Sequence, residues 1–141
     1  KLKVGGRVTV EGDVKADSIR IGGRLMANKA EADKFIEVNV LRTRQGAKAT
    51  RIEIGRKGEV RGPLIGQVVI AKDRSKLQDV WADEIQLRSR VKAGHIYGRK
   101  VHLERGCEVE GVTYTEDLRS EPSIQIRNGA QKAEKLPVPP F

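Results

Sequence analysis

The chain has 141 residues with fifteen Gly, but only one Trp, two Tyr, two Phe, one Met and one Cys. Cores of compact domains lean on Phe, Leu and Met, so a core rich in Val, Ile, Ala and Gly predicts thin, regular layers. Lys plus Arg is 28 and Asp plus Glu is 19, a net charge of +9, which favours an acidic partner such as nucleic acid or anionic lipid. Cys107 stands alone and excludes an internal disulfide. No apolar run approaches the roughly 18 residues of a membrane span, and no signal-peptide pattern is present, so a cytoplasmic location is expected.

Along the chain one pair of apolar residues, separated by a single residue, keeps returning. The pairs are Leu2/Val4, Ile19/Ile21, Ile36/Val38, Ile52/Ile54, Val68/Ile70, Ile85/Leu87 and Val101/Leu103. Their first members are 17, 17, 16, 16, 17 and 16 residues apart. A small residue precedes each pair from the second onward: Ala16, Ala32, Ala49, Gly66, Ala82 and Gly98. Alternation with period two indicates strands with one face in and one face out. Arg20, Glu37, Glu53, Gln86 and His102 fall on the outward column, which Val69 interrupts. A second alternating run begins at Val8 in the first unit and at Gly58 in the fourth. Each unit therefore holds two or three short strands joined by Gly-rich corners.

One such unit cannot bury its own apolar face, whereas stacked units can. The expected fold is an all-β, single-domain β-helix (β-solenoid) of about seven coils. The stretch Arg42 to Thr50 loses its apolar alternation, and Tyr114 to Pro122 falls out of register. Ile124 and Ile126 mark an expected last strand. The β-helix domain is thus expected over residues 1–126, with a flexible Pro-rich tail over 127–141.

Little points to catalysis. His95 follows a corner glycine, His102 lies in an outward column, and Cys107 sits beside acidic residues that weaken a thiolate nucleophile. No His/Cys cluster has metal-ligand spacing, and Gly5-Gly6 and Gly22-Gly23 lack the context of a phosphate loop. No catalytic residue, metal or cofactor is expected. Basic residues, by contrast, follow the inward pairs in phase: Arg24, Arg42, Arg44, Arg56, Lys57, Lys72, Arg74, Arg88, Arg90 and Arg105. Equal phase predicts one positive ridge, facing nucleic acid or an anionic membrane surface, or simply solvated. The ridge carries no aromatic residue, which disfavours nucleic acid.

The solenoid ends are the third candidate. Solenoids need caps, and open ends leave strand groups unpaired. Leu2, Val4, Val8 and Val10 are expected to form one self-association layer. Ile124 and Ile126, with Val109 and Val112, are expected to form the other.

The unit Val10 to Gly23 carries the phrase G-x-V/I-x-A-D-x-I-x-I in full, and Val80 to Leu87 carries its core, V-x-A-D-x-I-x-L. This repeated phrase, over about residues 2–112, resembles the bactofilins, polymer-forming cytoskeletal proteins. The resemblance implies a right-handed β-helix and nucleotide-free, non-polar filaments that scaffold cell shape or position other proteins, often at the membrane. Two further readings stand beside it. A β-helix acyltransferase would need hexapeptide repeats, into which steps of 16 and 17 do not divide. A basic-ridge binder would take nucleic acid or anionic lipid.

Overall fold

The computed structural model describes residues 2–121 and 123–139, without the side chains of Leu2 and Val4. Lys1, Pro122, Pro140 and Phe141 lie outside the described residues. Among the described residues nine strands follow in chain order: β1 (Leu2–Val4), β2 (Arg7–Thr9), β3 (Asp13–Arg61), β4 (Leu64–Ala71), β5 (Val80–Leu87), β6 (Lys92–Leu103), β7 (Glu108–Ser120), β8 (Gln125–Ile126) and β9 (Ala130–Lys132). The described residues include no helix. Every strand pair is parallel, in the order β1-β3-β4-β5-β6-β7-β8, with β2 on β3 and β9 on β7. Parallel neighbours one repeat apart make a β-solenoid, as the repeat predicts, with about eight turns rather than the seven expected. Strand β3, 49 residues long, winds through about three of them without a break.

Register places three inward pairs in each coil, on three sides. The first side holds Ile52/Ile54, Val69/Ala71, Ile85/Leu87 and Val101/Leu103 in line. The second holds Val91/Ala93, Cys107/Val109 and Ile124/Ile126. The third holds Ala47/Ala49, Leu64/Gly66, Val80/Ala82, Ile96/Gly98 and Val112/Tyr114. These residues merge into one core running the length of the rod. Stacked rungs about 4.8 Å apart hydrogen-bond the backbone and bury the apolar columns together. At about 25 cal/mol per Å² of apolar area, fully burying an Ile such as Ile52 contributes roughly 2–3 kcal/mol.

The third side shows why small residues recur. A Cβ on Gly66 would lie 2.6 Å from the Ala49 carbonyl oxygen of the coil below. A Cβ on Gly98 would press on Ile85 and Val101 at 3.0 Å each. Here the chain bends onto the first side, and only a small residue lets the coils close up.

Three expectations need correction. The inward pair of the fifth coil is Val69/Ala71, both 0 % exposed, while Val68 and Ile70 face outward and are half-buried. Three consecutive β-branched residues fit either phase, and the 17-residue step from Ile52 to Val69 decides it. Residues 42–50 keep an inward alternation in small residues, because Ala47 and Ala49 fill the inward positions of β3. The register shift expected from Tyr114 onward is present opposite Gly98 and Lys100, and pairing continues through it to Ser120. Finally, the solenoid does not stop at Ile126. Strand β9 pairs with Val112–Tyr114 and completes an eighth coil with Leu118, Ile124 and Ile126. The expected tail therefore loses its first residues to the rod.

Candidate functional site

The two terminal coils, as described, pair on one side only. Strands β1 and β2 hydrogen-bond toward β3, and β8 and β9 toward β7. In the first coil Val8 is half-buried and packs on the core, as do Val14 and Ala16. Val10 is half-buried and donates its N–H to the Met26 carbonyl at 2.8 Å. The backbone of Leu2 and Val4 pairs with Ile19 and Ile21, while their side chains lie outside the described set. In the last coil Leu118, Ile124 and Ile126 are half-buried against the core. Val109 and Val112, expected at this surface, are 3 % and 1 % exposed because β8 and β9 cover them. They belong to the core, and Leu118 takes their place in the terminal layer.

The ten basic residues expected on one ridge fall into separate groups. Arg56, Lys57, Arg74, Arg90 and Arg105 line one groove with Asp73 and Ser89, at the corner between the first and second sides. Lys72 and Arg88 lie just before that corner and are paired with Glu53 at 3.0 Å and Glu104 at 3.2 Å. Arg42 and Arg44 line a different groove with Arg61. Arg24 aligns with Arg7 in the first two coils. The ridge is broken because Arg42 and Arg44 come four and six residues after Val38, past the corner.

The corner has an unusual backbone. Lys57, Arg74 and Arg90 adopt φ of 57°, 63° and 60°, and Gly106 follows at 75°. A non-glycine residue in this left-handed region costs about 1–2 kcal/mol. Coil-to-coil hydrogen bonds hold it: the N–H groups of Lys57, Arg74 and Arg90 donate to the carbonyls of Asp73, Ser89 and Arg105 at 2.9, 2.9 and 2.8 Å.

One feature escaped sequence reasoning. Ile65, Trp81, Tyr97 and Thr113 align on the outer face of the third side. Trp81 stacks on Tyr97, and His95 stacks on Tyr97 with centroids 4.4 Å apart. The His95 ring nitrogen Nε2 lies 3.0 Å from the Thr113 hydroxyl, and its backbone N–H donates to Asp79 at 2.9 Å. Burial, then the Asp79 charge, pushes the Tyr97 hydroxyl above its usual range. The signal was in the sequence, since Trp81 and Tyr97 each sit just before a member of the small-residue column.

His102 lies half-exposed in the outer column of the first side, aligned with Gln86 and Arg119. Cys107 is fully buried, and its Sγ–H donates to the Arg88 carbonyl at 2.9 Å. Burial pushes this thiol up. The described residues contain no group of three or more His, Cys, Asp or Glu side chains placed to hold a metal. No helix among them is long and apolar enough to cross a membrane. Comparison with family models, curated proteins and solved structures finds no match to the chain.

Proposed function

We propose that this chain is a structural protein that assembles end to end through its terminal coils into filaments. The observation that carries the reading is the pairing of the terminal rungs. Strands β1 and β2 at one end, and β8 and β9 at the other, use one edge each, and half-buried Val8, Val14, Leu118, Ile124 and Ile126 lie in those same coils. A strand edge beside apolar side chains is a template for another strand edge. Stacking a second copy there adds backbone hydrogen bonds and removes apolar area from water, at about 25 cal/mol per Å².

The resemblance to bactofilins supports the same reading, and a nucleotide-independent scaffold for cell shape or protein positioning follows from it. The rod itself supplies the rigidity a scaffold needs, because each interior coil hydrogen-bonds both neighbours.

Sedimentation velocity over a concentration series tests the reading. The unmodified chain should give a growing ladder of species. Ile126→Arg places a charge in the terminal layer and should hold the protein at 15.6 kDa while its β-rich circular dichroism is kept. A wild-type chain that stays at the monomer mass throughout the series contradicts the proposal.

A further inference from the structure

We propose that the corner formed by Arg56, Lys57, Arg74, Arg90 and Arg105 is a binding site for anions that carry several linked phosphate groups. This site is separate from the terminal coils and does not depend on assembly.

Three successive coils place Lys57, Arg74 and Arg90 at the same left-handed backbone position. Gly is the ordinary occupant of such a position, and Gly106 fills it in the next coil. Long cationic side chains there are retained against backbone strain, and such outliers collect where a ligand is held. The preceding position in each coil adds Arg56, Asp73, Ser89 and Arg105 to the same groove. Asp73 is its one carboxylate, and its Oδ1 accepts the Ser89 N–H at 3.2 Å.

Pairing separates these cations from their neighbours. Lys72 and Arg88 are neutralised by Glu53 and Glu104. Among the described residues, none of the five corner cations forms a salt bridge. They span four coils, about 14 Å along the rod at about 4.8 Å per coil. Like charges at that spacing repel, and an anion with charges spread along the same line removes the repulsion. Guanidinium groups match phosphate in both charge and fork geometry. No aromatic side chain lines the groove, so nothing there stacks on a base. Phosphate groups are recognised, whether on a soluble oligophosphate or on the headgroups of a phospholipid surface.

The test uses the full chain with tripolyphosphate and with orthophosphate in isothermal titration. Tripolyphosphate should bind at least about tenfold more tightly, with an affinity that falls as salt rises. The variant Lys57→Gly/Arg74→Gly/Arg90→Gly removes three cations with a residue that tolerates positive φ. Its thermal midpoint should match or exceed the wild type, while its tripolyphosphate affinity falls at least about tenfold. Lys72→Gln/Arg88→Gln, which removes paired cations outside the corner, should stay within about twofold.

Vesicles distinguish the source. Co-sedimentation with phosphatidylglycerol vesicles, lost in the glycine variant and absent with phosphatidylcholine, assigns the site to lipid phosphates. Tripolyphosphate binding without vesicle binding assigns it to a soluble anion. Equal affinity for the two phosphates, or a glycine variant that binds like the wild type, overturns the proposal. So does a short oligothymidylate bound more tightly than tripolyphosphate, which would make the corner a nucleic-acid surface.

Discussion

Trp81 and Tyr97 stack with ring centroids 4.8 Å apart and planes 17° from parallel. Sixteen residues separate them in sequence, yet one rung separates them in space. The stacking distance is close to the spacing of the strands that carry them, so the ladder reads the coil rise directly. A double-mutant cycle with Trp81→Leu and Tyr97→Leu should give a coupling of about 0.5–1.5 kcal/mol in urea unfolding. Purely additive losses would mean that the rings do not support each other.

The phase of the fifth coil makes a second prediction. Val69 is wholly buried and Val68 is half-buried on the outer face. Val69→Asp buries an unpaired carboxylate and should abolish cooperative unfolding or cost at least about 3 kcal/mol. Val68→Asp stays on the outer face between Arg51 and Glu84 of the adjacent rungs, one opposite and one like charge, and should cost less than about 1 kcal/mol. The reverse order of effects would restore Val68 and Ile70 to the core.

Cys107 gives a third, through its thiol. Burial raises its folded pKa, so the native state keeps the proton after the unfolded state has released it. That contribution to stability is whole below the unfolded value of about 8.5 and is lost as pH rises through the folded value. Urea midpoints should therefore fall between about pH 8 and pH 10, and Cys107→Ala should flatten that fall at some packing cost. Ellman's reagent should label the native thiol at least about a hundredfold more slowly than the urea-unfolded one. Rapid labelling of native protein would show that the second side opens readily.

The repeat was legible because the first side uses Ile, Val and Leu almost without exception, and β-branched alternation is a strong strand signal. The other two sides were faint for a physical reason. Their inward positions hold Ala47, Ala49, Gly58, Gly66, Ser75, Ala93 and Cys107, residues as common in loops as in strands. Close packing of three walls around a narrow axis needs that smallness, and the same smallness hides the pattern. Strand β9 was hidden likewise, since Ala130-Gln-Lys132 carries one small apolar residue.

The terminal residues were legible only in part. Ile124 and Ile126 were identified from alternation, but Cys107/Val109 alternates in the same way and, like Val112, Val109 lies one coil further in. Which rung is last depends on β8 and β9, not on composition. The basic ridge failed for a related reason. Phase after an inward pair fixes a position along the coil only until a corner is turned, and Arg42 and Arg44 lie beyond one.

Negative-stain electron microscopy of the purified chain, followed by fibre diffraction of what is seen, tests end-to-end stacking most directly. Filaments one rod wide, with an axial reflection at about 4.8 Å, are the predicted result. Isolated particles about 38 Å long at every concentration, one solenoid of eight coils each, would contradict it.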